Sequence, residues 1–144
     1  MVLRMIKEHS IGAVVFNANQ FLLLKYGLGH WGLVKGHKEK GETDKDTILR
    51  ELREETGISQ ATLLKGFKES FSYHYKFKGN SFFKTVTCYL IKSNVEEIKL
   101  SYEHDDYKWL PFDEAIKKAT HEGPKSMMIK AKKILSGNLD TFIK

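Results

Sequence analysis

The order of its segments predicts an α/β fold in which a mixed sheet is covered by helices on both faces. Three observations carry that expectation. Apolar, β-branched segments come first; one sharply bounded helix interrupts them at residues 44–56; and further strand-like segments are followed by two helices at the end of the chain. A length of 144 residues fits a single domain, 1–144, large enough for a real core.

Taken in order, residues 10–16 are apolar and β-branched, residues 17–20 carry a turn signal and residues 21–25 are apolar again, which makes a hairpin of core strands. Residues 26–30 hold two glycines and read as a loop, and residues 31–34 form a short strand leading into a highly charged loop, 35–42. Thr43 is a good N-cap, with Asp44 and Asp46 in the first turn where the helix dipole favours negative charge, and Gly57 supplies the stop. Strands are expected at 62–67, 69–78 and 82–92, with Gly79-Asn80 turning between the last two. Phe71, Tyr73, Tyr75 and Phe77 alternate onto one face, as ordinary sheet packing or as a ligand-stacking stripe. Residues 95–100 and 106–110 read as short strands flanking an acidic loop. Pro111 opens a helix through Ala119, and Pro124 opens a last helix that runs to about Leu135 and is stopped by Gly137.

On the 44–56 helix, at about 100° per residue, Ile48, Leu49 and Leu52 share one arc, and Glu51, Glu54 and Glu55 lie on the arc beside it. Carboxylates at that spacing repel one another unless a cation sits among them. A hard divalent metal with oxygen ligands such as Mg²⁺ suits them; a solvated acidic face paired with Arg50 and Arg53 is the other reading.

The residues from Gly36 through Glu42 to Arg50-Glu51-Leu52-Arg53-Glu54-Glu55-Thr56-Gly57-Ile58 match the Nudix box, GX5EX7REUXEEXGU with U aliphatic, at all nine specified positions. At average residue frequencies a chance match at a given start is on the order of 10⁻⁹. The chain thus resembles the Nudix hydrolases. That resemblance implies an α/β/α sandwich in which this loop and helix hold Mg²⁺ or Mn²⁺ against a diphosphate linkage. By matched position, Glu51, Glu54 and Glu55 would be metal ligands, joined by the Lys35 carbonyl; Arg50 would orient the glutamates, Glu42 would support the loop, and Gly36 would let backbone approach metal and phosphate. The implied chemistry is in-line attack of water on phosphorus in a nucleoside diphosphate linked to a further group.

Two segments outside the box are similar to those of asymmetrical diadenosine tetraphosphate hydrolases. Residues 31–37, WGLVKGH, resemble a W-x-x-P-K-G-H entry, with Val34 where that family usually has proline. Residues 103–110, EHDDYKWL, resemble E-H-x-x-Y-x-W-L, and Lys84-Thr85-Val86 resembles a K-T-V strand. The resemblance implies that Lys35, His37 and Lys84 contact polyphosphate, that Tyr73 stacks on an adenine, and that Glu103 is a further metal ligand or the general base, a role a box glutamate such as Glu54 could also fill. For His37 and Glu103 a plain surface-loop position is the bland alternative.

The expected activity is therefore metal-dependent, asymmetric hydrolysis of diadenosine tetraphosphate to ATP and AMP. Removal of pyrophosphate from the 5′ end of RNA, or hydrolysis of another nucleoside diphosphate derivative, is the alternative, and a nucleotide-sensing module without turnover is a third reading that the intact box glutamates disfavour. A net charge of +6 suits an anionic partner, nucleotide or nucleic acid. No run of apolar residues is long enough to span a membrane, residues 1–10 carry no apolar leader, and Cys88 is the lone cysteine, expected as a small core residue. A soluble, cytoplasmic enzyme is expected.

Overall fold

In the computed structural model, which describes residues 4–143 and side chains as far as residue 137, one mixed sheet lies between helices. The expectation of no leader in 1–10 falls partly on residues 1–3, outside those described. The strands are β1 (Met5–Asn17), β2 (Gln20–Tyr26), β3 (Trp31–Gly32), β4 (Val34–Gly36), β5 (Ala61–Leu63), β6 (Glu69–Phe77), β7 (Asn80–Ser93) and β8 (His104–Pro111); the helices are α1 (Asp44–Thr56), α2 (Phe112–Lys118) and α3 (Glu122–Ile143). β1 and β7 run parallel from Met5 opposite Ser81 to Phe16 opposite Lys92, and the remaining pairings are antiparallel.

Side chains on successive strand residues point to opposite faces, and this alternation divides the core in two. Ile11, Ala13 and Val15 of β1, with Leu22 and Leu24 of β2, pack against Ile48 and Leu52 of α1. Val14 and Phe16, with Phe21, Leu23, Val86, Cys88 and Leu90, pack on the other face against Ala115 of α2 and Met127, Met128 and Ala131 of α3. The result is an α/β/α sandwich with α1 on one side and α2 and α3 on the other. Gly123, at the start of α3, lies so close to β6 that a Cβ there would sit 2.2 Å from Phe71 Cδ2.

Several boundaries depart from the sequence reading. The strand expected at 31–34 is two, β3 and β4, and β4 takes in Lys35 and Gly36 from the predicted loop. The strand expected at 62–67 is only Ala61–Leu63. The turn before β7 is Lys78-Gly79, one residue early, with φ of +48° and +78°, the two left-handed residues that a tight hairpin turn requires. Residues 95–100 form no strand. Their apolar side chains, Val95, Ile98 and Leu100, do pack on the α1 side of the core, but their neighbour is a helix end rather than a strand: Lys99 N–H donates to Thr56 O at 2.7 Å, and Ser101 N–H to Glu55 O at 3.2 Å. These bonds satisfy carbonyls that the end of α1 leaves unpaired. α3 begins at Glu122 and does not stop at Gly137; a glycine costs a helix only about 1 kcal/mol and keeps its N–H, so it ends one only when the following residues also turn away.

Candidate active site

α1 is fixed at both ends by short-range bonds. Thr43 Oγ1 accepts from Asp46 N–H and Asp46 Oδ2 accepts from Thr43 N–H, each at 3.1 Å. Gly57, at φ +76°, donates to Arg53 O at 2.9 Å. With the ends fixed, helical phase decides the carboxylates. Ile48 and Leu52 are driven into the core, Glu55 is carried in with them to 4% exposure, Glu51 is half-buried and Glu54 faces outward. The expected acidic arc is therefore graded from buried to exposed.

Arg50 gathers the loop and the helix. Its Nε donates to Glu42 Oε2 at 2.7 Å and its Nη2 to Glu42 Oε1 at 3.0 Å, a bidentate fork. Nη2 also donates to His37 O at 2.9 Å, and Nη1 reaches Glu51 Oε1 at 2.9 Å and Glu54 Oε2 at 3.1 Å. Glu42 Oε1 accepts in addition from Glu39 N–H and Thr47 Oγ1. The Arg50 hydrogen bonds, followed by the Glu39 N–H, hold the Glu42 carboxyl down at about 2. Gly36 completes the packing from β4: a Cβ there would lie 2.0 Å from Glu51 Cδ, so its missing side chain makes room for a carboxylate.

Glu55 meets β8 beneath this clamp. Its Oε1 lies 3.4 Å from His104 Nε2. Both Glu55 oxygens and that nitrogen are buried without a hydrogen-bond partner. Burial first, and the Glu51 carboxylate second, push the Glu55 carboxyl far above its usual range, while burial lowers His104. Tyr26, its ring edge-on to His104 at 4.7 Å, is held as a neutral phenol by burial first and Glu55 second, and its hydroxyl donates to Leu33 O.

Two cavities open here. The first, about 600 Å³, is lined by Glu51, Glu54, Glu55 and Glu103 together with Lys35, His37, Lys84, Gly36 and His104. The second, about 680 Å³, is lined by Tyr73, Phe71, Tyr75, His30, His121 and the segment starting α3. Tyr26 and Lys35 line both. The Lys35 ammonium sits 5.7 Å from the Tyr26 ring centre and 5.9 Å from that of Tyr73. Burial lowers both Lys35 and Lys84, and each ammonium stands without a salt-bridge partner among those the described residues form. Two desolvated cations close to one another invite an anion.

The structure thus brings together in one cavity every residue expected to touch metal or phosphate. Arg50 lies behind that wall, tied to two of its glutamates, and Tyr73 faces the second cavity, opposite Lys84 on the neighbouring strand. Of the aromatic stripe, Phe71, Tyr73 and Tyr75 are half-buried and in ring contact, whereas Phe77 is exposed. Sequence reasoning missed Tyr26 and His104. Tyr26 was legible, because Leu22, Leu24 and Tyr26 continue one alternating face of β2; His104 stood inside a recognised segment with no role attached.

Among the described residues no three His, Cys, Asp or Glu side chains converge tightly enough to form a ready metal cage. The donors nonetheless fit a divalent cation. A buried carboxyl with two unpartnered oxygens, crowded by Glu51 and Glu103 and opening on a polar cavity, is stabilised as a carboxylate by a hard cation and by little else around it. Glu51, Glu54, Glu55 and Glu103 could hold it.

The NUDIX domain model matches residues 7–131. The chain is 41% identical over 128 residues to the asymmetrical bis(5′-nucleosyl)-tetraphosphatase of Rattus norvegicus, covering 85% of this chain and 84% of the relative. It is 32% identical over 95 residues, 57% of the chain and 59% of the relative, to an RNA pyrophosphohydrolase of Nitratiruptor sp.. Among solved structures, a C. elegans Ap4A hydrolase in a binary complex superposes with a TM-score of 0.78 at 31% identity, covering 90% of this chain and 98% of that one.

Proposed function

The chain belongs to the NUDIX family, as a pyrophosphohydrolase similar to asymmetrical Ap4A hydrolases, and from that premise we propose that it hydrolyses diadenosine tetraphosphate to ATP and AMP. The observation that carries the reading is the junction of the two cavities. An acidic and cationic trough joins an aromatic pocket at Lys35 and Tyr26, which matches a molecule that is polyphosphate in the middle and nucleoside at the end.

In this reading Lys35, Lys84 and His37 bind the phosphate chain, offsetting charge at several oxygens. Tyr73, with Lys35 over its ring, stacks on one adenine. Glu51, Glu54, Glu55 and Glu103, with the Lys35 carbonyl, hold a divalent metal, Mg²⁺ or Mn²⁺; when bound, it offsets charge on the attacking and leaving oxygens of an in-line displacement. Arg50 fixes the outward carboxylates against the loop through its bonds to Glu42, Glu51 and Glu54. Glu103 or a box glutamate accepts the proton of the water that attacks the phosphorus fourth from one adenosine. The bond to the third phosphate breaks, leaving ATP from one side and AMP from the other.

Part of the same reading is a single domain, 1–144, acting in a reducing cytoplasmic setting, which the lone buried Cys88 thiol suits. Among the described residues no helix is long and apolar enough to cross a membrane.

The test is product analysis in ¹⁸O-labelled water with Mg²⁺, diadenosine tetraphosphate and, in parallel, a 5′-triphosphorylated RNA. ATP and AMP with the label in AMP support the proposal. Survival of the dinucleotide while the RNA loses pyrophosphate would replace it with RNA 5′-end processing.

A further inference from the structure

We propose that His104 is a positioning residue for Glu55, its Nε2–H turning one carboxylate oxygen so that the other is presented to a divalent cation. The inference rests on the reading of Glu55 as a metal ligand.

The two side chains are built to meet. His104 begins β8 opposite Tyr26, where the register with β2 slips by a bulge. Its side chain is 2% exposed, and that of Glu55 is 6%. The turn 101–104 is fastened to the last turn of α1, because Ser101 N–H donates to Glu55 O while His104 N–H donates to Ser101 O, both at 3.2 Å. Ser101 Oγ lies 3.1 Å from His104 Nδ1. A serine hydroxyl can donate there, which puts the proton of a neutral ring on Nε2. That nitrogen lies 3.4 Å from Glu55 Oε1, and neither atom has a hydrogen-bond partner; the Glu51 carboxylate and the Lys35 backbone are the carboxyl's other close neighbours.

A buried donor and a buried acceptor 3.4 Å apart, neither of them hydrogen-bonded, are costly unless a small closure joins them. With Nε2–H on Oε1, the carboxylate plane is fixed and Oε2 is left for the cavity that Glu51 and Glu103 also line. Glu103 precedes His104 in the chain, so the same anchor fixes its backbone at the cavity wall. A ring serving only to fill space would do none of this, and phenylalanine would replace it.

The readout is binding of Mn²⁺ alone to the full chain, followed by titration of the free-ion EPR signal, with thermal melting as a fold control. His104→Phe is expected to melt close to the parent and to lose about 10- to 100-fold in Mn²⁺ affinity. His104→Gln, whose amide N–H can reach the place of Nε2, is expected to stay within about threefold of the parent. Glu55→Gln is the control on the premise. If it binds Mn²⁺ like the parent, the ligand reading fails and takes this inference with it. If it loses affinity while folded His104→Phe does not, only the inference is overturned. Should His104→Phe not fold, Ser101→Ala decides, with a loss of about tenfold or more supporting the proposal and affinity within about threefold of the parent overturning it.

Discussion

The two cavities share Tyr26 and Lys35 but are made of opposite materials. The first is a set of charges whose positions are fixed mainly by residues close in sequence: Arg50 ties Glu42, Glu51, Glu54 and the His37 carbonyl within one loop and helix. The second is an aromatic surface assembled from distant parts, with Tyr73 and Phe71 from β6, His30 from the loop after β2 and His121 from the approach to α3. Most of the charge lining the first cavity is held by a short, self-contained unit, with Lys84 added from β7 and Glu103 from the approach to β8, whereas the aromatic surface of the second is spread over the fold and free to vary without disturbing that unit.

That contrast breaks most sharply at Glu54. Glu54→Gln should abolish turnover of diadenosine tetraphosphate, by about 10³-fold if the metal's several kcal/mol are lost, with an unchanged circular dichroism spectrum. Near-full activity would remove Glu54 from the ligand set. The second cavity should fail differently. Tyr73→Ala should raise KM for the dinucleotide by about 5- to 100-fold, the worth of one base–aromatic stack, while kcat and Mn²⁺ affinity hold; a fall in kcat alone would merge the two regions into one.

Smaller effects probe the clamp. Arg50→Met leaves Glu42 and Glu51 without their shared cation, and the melting temperature should fall by about 5 °C. An unchanged melting curve would make the fork ornamental to stability. The least is a pH effect. Because the Glu42 carboxyl is held near 2 instead of its usual 4.5, its contribution is complete above about pH 4.5 and drains away as the pH falls toward 2. Urea midpoints of the parent should therefore decline over that window more steeply than those of Glu42→Gln; parallel curves would contradict the assignment.

What could be read along the chain and what could not divides along the same line. The bounds of α1 were legible to the residue, since Thr43, Asp46 and Gly57 act on backbone groups within four positions of themselves. The strand expected at 95–100 was not there: its apolar pattern is real, but the Lys99 N–H pairs with the end of α1, some forty residues earlier, instead of with a neighbouring strand. Gly137 looked like a stop and is not one, for a glycine alone does not turn a chain. Gly36 was read as room for metal and phosphate, and the atom nearest its missing side chain belongs to Glu51.

The sequence by itself determined the sandwich, the loop-helix with its carboxylates and Arg50, and the family, because capping, helical phase and motif spacing are local properties written in consecutive residues. Only the tertiary structure decided that Glu55 is buried against His104, that Tyr26 and Lys35 join two cavities, and that Tyr73 faces the second of them. Those depend on the register of β8 on β2 and β6 on β7. Register is set by summing packing across the whole sheet, and no single stretch of the chain contains that sum.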